Sequence, residues 1–152
     1  MAVETTITRG TDAPEFVPSP IRTSWILAGD PVARVALLSS SADGMASTYY
    51  WDCTAGRFHW FYDVDETAYV LEGSVTIKDK KGVARRVGAG DWIFFPKGSF
   101  AEWTVHEYVR KVAFCRSPMP GPVHFALGVY RVLKKLTGRG SNGAEATAMF
   151  HG

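Results

Sequence analysis

The residues best suited to chemistry lie in one stretch, residues 56–73, with the sequence GRFHWFYDVDETAYVLEG. It holds an imidazole at His59, a carboxylate at Glu66 and a run of large aromatic rings between them. An imidazole and a carboxylate can act as acid and base, and both are ligands of divalent metal ions. Because a packed core needs no charged groups, we expect the function of the chain to depend on this stretch.

The elements that must position these residues are predicted to be short strands separated by turns that contain glycine or proline. Within the central stretch we predict strands at 57–62 and 67–71, a polar break at 63–65 and a tight turn at Glu72-Gly73. Further strands are predicted at 24–27, 32–38, 46–53, 74–79, 83–87, 92–95, 99–105 and 108–115. Strands that recur about every 8–12 residues are typical of an all-β sandwich or barrel.

We predict one folded domain with an extension at each end. Residues 1–23 are polar and contain three prolines, which favours an extended arm, and residues 24–117 supply the barrel. Residues 118–152 begin with a proline-rich break, continue as an amphipathic helix at 123–136 and end as a flexible tail. We expect this helix to dock on the barrel or on a partner subunit, since it is short for a membrane-surface helix.

Two glycine-framed motifs resemble those of the cupin superfamily, G(X)5HXH(X)3-4E(X)6G and G(X)5PXG(X)2H(X)3N. Glu66 followed by six residues and Gly73 matches the end of the first motif, and the run GDWIFFPKG at 90–98 matches the start of the second. The looser features GRFHWFYDVDE, EGS, GDWIFFPKGSFAEW and VRK are most similar to cupins related to ureidoglycine aminohydrolase, a largely uncharacterised group. The resemblance implies an all-β fold, a single cupin jelly-roll barrel with a short C-terminal helix.

The same resemblance identifies where metal ligands are expected. A metal-binding cupin takes two His and one Glu from its first motif and one His from its second. His59 and Glu66 match two of these positions, whereas Phe61 and Ala101 occupy the other two. Two protein ligands are fewer than a divalent metal normally needs, so we favour a metal-free protein. Manganese, iron, nickel or zinc bound by His59 and Glu66 is the alternative, with recruitment of Asp63, Asp65 or Glu102.

If the cupin register applies, His59 and Phe61 face the barrel interior, as do Ala101 and Trp103. Lys111 lies between the apolar residues Val109 and Ala113, and an inward Lys111 could form an ion pair with Glu66 in place of the metal. We therefore predict a pocket with His59, Glu66 and Lys111 as its polar and catalytic groups. Its predicted walls are Trp60, Phe61, Tyr62 and Trp103.

Two alternatives remain open at this point. A shift of one residue along the strand would turn Trp60 and Tyr62 inward in place of His59 and Phe61. Alternatively, Glu66 and Lys111 form an ion pair that is only structural, and His59 is a hydrogen-bonded strand residue.

Composition and charge limit the partners. The 152 residues carry a formal net charge of +2, with no basic patch typical of nucleic-acid binding and no membrane-spanning run. The first residues lack a basic start followed by an apolar stretch, so we expect no secretory leader. Cys53 and Cys115 lack CxxC spacing and suit reduced thiols, so we expect a cytoplasmic protein. Exposed strand edges and the arm favour a homodimer.

These observations predict a metal-independent, small-molecule-binding cupin whose ligand carries a carboxylate, amide or ureido group. It acts as a sensor or as a weak catalyst that uses His59 and Glu66. The alternatives are a metal-dependent enzyme that hydrolyses a C–N bond, as ureidoglycine aminohydrolase does, and a non-catalytic interaction module. The residues do not decide whether the protein is an enzyme.

Overall fold

The structure is a computed structural model that describes residues 14–136. The chain divides into two compact units, Met1–Pro118 and Met119–Gly152. The second unit contains the predicted C-terminal helix as α1, Gly121–Leu136. The predictions for residues 1–13 and for the tail after residue 136 lie outside the described residues. Among the helices of the described part, none is long and apolar enough to cross a membrane.

The first unit is an antiparallel β structure, which confirms the predicted all-β class. Its strands are β1 (Val17–Pro18), β2 (Ile26–Gly29), β3 (Ala33–Ser40), β4 (Ala46–Phe61), β5 (Asp65–Lys78), β6 (Ala84–Gly88), β7 (Trp92–Phe95) and β8 (Phe100–Arg116). A short 3-10 helix, Thr23–Trp25, replaces the start of the strand expected at 24–27. The hydrogen-bonded order is β1-β3-β4-β8-β5-β6, while β2 also pairs with β4 and β7 with β5.

Three long strands stand where the sequence predicted pairs of short ones. β4 unites the strands expected at 46–53 and 57–62, β5 unites 67–71 with 74–79, and β8 unites 99–105 with 108–115. Each long strand keeps its ladder across the expected break because β8 supplies hydrogen-bond partners to both neighbours, with register shifts at the breaks. The predicted tight turn at Glu72-Gly73 is therefore wrong, and the chain continues through a bulge there.

Gly73 shows why the bulge in β5 needs glycine. Its φ is +74°, and a Cβ atom at this position would overlap the carbonyl oxygen of Tyr108 on the neighbouring strand. The glycine that ends the first motif thus permits close approach of β5 to β8. This approach lets both halves of β5 pair with the same long strand.

A bulge in the pairing of β4 with β8 decides which β4 side chains face the barrel interior. The pairing with β8 shifts between Thr54 and Gly56. Before this shift the buried core residues are the odd-numbered Trp51 and Cys53, and after it they are even-numbered, beginning with Phe58. Between the pairs formed by Thr54 and Gly56, β4 advances by two residues and β8 by three, and this shift of one residue reverses the alternation along the second half of β4.

Residues 16–18 are held on the outside of the barrel beside an ion cluster. The carboxylate of Asp52, which is 1% exposed, accepts hydrogen bonds from Arg34 Nε at 3.0 Å and Tyr108 Oη at 3.0 Å. The ring of Phe16 lies 5.0 Å from the Arg34 guanidinium and 5.5 Å from that of Arg110. These cation–π contacts, with the β1–β3 pairing, attach residues 16–18 to β3 and β8.

Candidate functional site

Glu66 and Lys111 form an ion pair inside the barrel. Lys111 Nζ donates a hydrogen bond to Glu66 Oε1, and the two residues are only 5% and 7% exposed. Glu66 lies near the start of β5, and Lys111 lies on β8 between the buried residues Val109 and Ala113. Lys111 therefore occupies an apolar face of the strand, where an ammonium group requires a carboxylate partner.

Aromatic rings surround the ammonium end of Lys111. Its Nζ lies 5.0 Å from the ring centroid of Trp51 and 4.9 Å from that of Trp103. The two indoles meet edge to face at 5.7 Å. The electron-rich faces of both indole rings attract the ammonium group, and this attraction offsets part of the cost of burying Lys111.

A cavity of about 750 Å³ lies in front of Glu66. It is large enough for a small metabolite. The polar lining relevant to binding consists of Arg22, Ser47, Tyr49, Tyr62, Asp63, Glu66 and Cys115, and the large apolar side chains are Trp25, Met45, Trp60 and Phe61. This mixture of rings with a few polar groups is typical of a small-molecule site.

Tyr62 is neutral in this environment. Burial, and then the neighbouring carboxylate of Glu66, raise the pKa of Tyr62 well above its usual value of 10.0. Its hydroxyl oxygen accepts a hydrogen bond of 3.1 Å from Trp103 Nε1. Tyr62 thus links the cavity to Trp103, which is itself buried and 2% exposed.

The thiol at the cavity is not activated. Burial, and then Glu66, raise the pKa of Cys115 to about 11. Its Sγ lies 3.9 Å from Glu66 Oε2. A thiol in this state is a weak hydrogen-bond donor to the carboxylate and a poor nucleophile at neutral pH.

The structure places His59 and Phe61 differently from the inward register that the sequence analysis favoured. Phe58 is fully buried and Tyr62 is 3% exposed, whereas Phe61 is 49% exposed. The imidazole of His59 lies 3.9 Å from Glu102 and 5.3 Å, centroid to centroid, from Phe100, both outward on β8. The inward assignment is wrong because the register shift between β4 and β8 selects the alternative register, with Trp60 and Tyr62 on the inner side.

Of the predicted site residues, the structure brings Glu66 and Lys111 together and sets Trp60, Phe61 and Tyr62 in the cavity lining. Phe61, the last residue of β4, contributes an exposed ring at the strand end. Trp103 stands behind Tyr62, and His59 is separated from Glu66 by the sheet. The outward position of His59 removes the expected acid–base partnership with Glu66.

Sequence reasoning missed Trp51 and Cys115 as neighbours of the ion pair. Cys115 could have been found, because it shares the face of Lys111 four residues further along β8. Trp51 gave no such signal, since its inward position depends on the bulge that separates it from Phe58.

The residues do not fit the metal ion that a cupin fold suggests. Glu66 is engaged by Lys111, and His59 is on the outer side of β4. Within residues 14–136, no group of three or more His, Cys, Asp or Glu side chains is arranged to hold a metal ion. The groups beside the Glu66 carboxylate are the Lys111 ammonium and the protonated Cys115 thiol, which do not suit a divalent cation.

Comparison with known proteins agrees with the β architecture. Residues 40–113 match the family model described as the EutQ-like cupin domain. No match was found among curated proteins.

Solved structures provide further similarities. A Salmonella typhimurium protein assigned as ethanolamine utilization protein Q is 25% identical with a TM-score of 0.51, and the match covers 70% of this chain and 98% of that chain. A Pseudomonas syringae pv. tomato protein of unknown function is 25% identical with a TM-score of 0.61, over 66% of this chain and 44% of that chain.

The Clostridium difficile EutQ protein is 24% identical, with a TM-score of 0.50 over 57% of this chain, and the match spans 63% of its own length. At this identity the similarity concerns the fold alone. The domain match over residues 40–113, the glycine-framed motifs and the antiparallel barrel lead to one conclusion: this part of the chain is similar to the EutQ-like cupin domain and has the cupin fold.

Proposed function

We propose that the chain binds a small amide or ureido compound in the cavity in front of Glu66, without the help of a metal ion. The observation that carries the proposal is the buried Glu66–Lys111 ion pair, one member of which lines an aromatic cavity. Lys111 holds the carboxylate of Glu66 in place, and the carboxylate presents its remaining lone pairs to a ligand.

The energetics of the pair support a role in binding. Burying two charges costs about as much as their attraction returns, and apolar residues of similar volume often stabilise a core equally well or better. An ion pair next to a cavity is therefore more easily explained by ligand recognition than by stability of the fold.

The hydrogen-bonding groups of the cavity indicate the ligand class. Glu66 is an acceptor, so it favours a ligand with N–H donors, as amides and ureido groups have. Trp60 and Tyr62 provide flat rings against which a planar amide or ureido group can pack. The guanidinium of Arg22, which lies 4.9 Å over the ring of Trp25, can bind a carboxylate carried by the same ligand.

Metal-dependent C–N bond hydrolysis, as in ureidoglycine aminohydrolase, has no support from the donor set described above. Turnover in this cavity would depend on Glu66 as the base, because His59 lies on the opposite side of β4.

We retain the cytoplasm as the expected compartment, since both cysteines are free thiols.

A thermal-shift screen tests the proposal. The panel contains amides, ureido compounds, simple carboxylates and ethanolamine, the last because relatives are named for its utilization, and the metal content is measured on the same sample. We expect amide or ureido compounds to raise the Tm of metal-free protein, since a ligand at 100 times its Kd adds about 2.7 kcal/mol of stability. If no compound of the panel raises the Tm, the non-catalytic interaction module becomes the favoured function. Stoichiometric bound metal would instead favour the metal-dependent hydrolase.

Two variants locate the site. Glu66→Gln should abolish the ligand-induced shift, whereas the matched change Glu102→Gln, on the outer face of β8, should leave it intact. Ser47→Phe places a ring in the cavity without touching the ion pair, so it separates loss of binding from loss of folding. Full binding by both Glu66→Gln and Ser47→Phe would show that the ligand binds elsewhere.

A further inference from the structure

A second cavity, of about 600 Å³, lies beside the hairpin that joins β5 to β6. We call it the hairpin cavity, and among the described residues it shares no lining residue with the cavity in front of Glu66. Buried side chains form its apolar wall: Ile77, Val87, Phe95 and Ala101, which are 8%, 8%, 6% and 3% exposed. The volume is sufficient for a small metabolite, and the wall can accept an apolar group.

The register of the hairpin directs Arg85 toward this wall. Arg85 pairs with Ile77, and Val87, two residues further along β6, pairs with Val75. Ile77, Val75 and Val87 are all buried in the core. Because directly paired side chains lie on one face of a sheet, Arg85 shares the inner face with these three apolar residues. An exposed guanidinium therefore lies at the mouth of a cavity with an apolar wall.

A carboxylate lines the same cavity from the turn of the hairpin. Asp79 directly follows β5, and its Oδ1 accepts hydrogen bonds from the backbone N–H groups of Lys81 at 2.8 Å and Val83 at 2.9 Å. These two bonds fix the position of the carboxylate in the turn. Its second oxygen, Oδ2, accepts no hydrogen bond from residues 14–136, so this oxygen is available to a ligand.

Asp79 and Arg85 have no charged partner in the part of the chain that the structure describes. Within residues 14–136 they form no ion pair with each other or with a third residue. The other charged residues of the lining, Arg86 and Asp91, are both hydrogen-bonded. Arg86 Nη2 donates to Ser74 Oγ at 3.1 Å, and Asp91 Oδ2 accepts from a backbone N–H group at 2.9 Å. The lining therefore has balanced charge and offers a ligand one group of each sign.

We propose that the hairpin cavity binds a free α-amino acid with a large apolar side chain. The guanidinium of Arg85 binds its carboxylate, the carboxylate of Asp79 binds its ammonium group, and the apolar wall accepts its side chain. A zwitterion suits a lining with balanced charge, whereas a simple anion or a simple cation would meet one group of its own sign. This site is separate from the ligand site proposed in front of Glu66.

Isothermal titration calorimetry of the full chain with phenylalanine tests the proposal. Phenylalanine is the probe because the rings of Phe95 and Phe100 both line the cavity. We expect saturable binding, and Arg85→Gln should raise the Kd by about 10-fold or more, because it removes the charged donor to the carboxylate. Arg86→Gln is the matched control: Arg86 is the next residue, but it points to the other face and is bonded to Ser74, so the Kd should stay unchanged.

Two analogues of phenylalanine test the two charges of the ligand separately. 3-Phenylpropanoate lacks the ammonium group and phenethylamine lacks the carboxylate, so each should bind about 10-fold or more weakly than phenylalanine does. Asp79→Asn keeps an oxygen for the two N–H groups of the turn but removes the charge. This variant should lose the preference for phenylalanine over 3-phenylpropanoate.

Thermal unfolding of each variant confirms that it is folded before its binding is interpreted. Ser47→Phe, which fills the cavity in front of Glu66, should bind phenylalanine as the wild type does. Loss of binding in this variant would place phenylalanine in that other cavity and overturn the proposal. The proposal also fails if the wild type shows no binding up to about 10 mM phenylalanine, or if Arg85→Gln binds as tightly as Arg86→Gln. Equal affinity for phenylalanine and 3-phenylpropanoate would overturn the assignment to an amino acid.

Discussion

Replacing Lys111 by Met removes the cation from the barrel interior while preserving most of the side-chain volume. Glu66, which is 7% exposed, then loses its ion-pair partner. Removing one member of a buried pair costs about 3–5 kcal/mol, because the remaining charge keeps its desolvation cost and loses the attraction that offset it. The cation–π contacts with Trp51 and Trp103 are also lost, though the Met thioether packs well against rings. We expect the free energy of unfolding to fall by about 4 kcal/mol, a large part of the typical 5–15 kcal/mol.

Urea unfolding monitored by tryptophan fluorescence measures this loss. The control is Lys78→Met, which breaks the pair between Lys78 and Glu102 at 3.2 Å, where the side chains are 45% and 19% exposed. A partly exposed pair contributes about 0–1 kcal/mol, so the control should unfold almost as the wild type does.

The double variant Glu66→Leu/Lys111→Met completes the cycle. It removes both charges, so we expect it to recover most of the stability that Lys111→Met loses, while it no longer binds a ligand in the cavity. If Lys111→Met is no less stable than Lys78→Met, the ion pair is not a buried, mutually dependent unit, and the reasoning on the site fails.

Three further outcomes follow from single residues. Gly73→Ala should destabilise the protein by about 3 kcal/mol or more in urea unfolding, because the new Cβ overlaps the Tyr108 carbonyl and the residue has positive φ. Alkylation of Cys115 by iodoacetamide, followed by mass spectrometry, should stay slow at pH 8 and accelerate only as the pH approaches about 11, since burial raises the pKa of the thiol. Burial raises the pKa of Asp52, but the hydrogen bonds from Arg34 and Tyr108 outweigh burial and lower this pKa below 3.8. The stability that the Asp52 carboxylate provides is therefore present above pH 3.8 and is lost as the pH falls through its folded-state pKa. Asp52→Asn should therefore flatten the acid part of the stability profile measured by urea titration at successive pH values.

The pattern of the sequence was sufficient for the fold class, because its signals are local. Alternating apolar residues and glycine-containing turns predict β structure wherever they occur. The resemblance of residues 66–73 and 90–98 to the cupin motifs then implied a cupin barrel. The C-terminal helix was equally visible in its apolar periodicity and lies at Gly121–Leu136. The apolar alternation around Lys111 likewise pointed to an inward lysine.

The inner face of β4 could not be derived in this way. Local sequence determines that side chains alternate along a strand. The bulge between Thr54 and Gly56, however, arises because β4 pairs with β8 along its whole length, and β8 is distant in sequence. The bulge turns Trp60 and Tyr62 inward and His59 outward. The residue types of the site were thus determined by the sequence, whereas the tertiary pairing decided which of them share the cavity, because a one-residue shift between β4 and β8 reverses the β4 side chains beyond it.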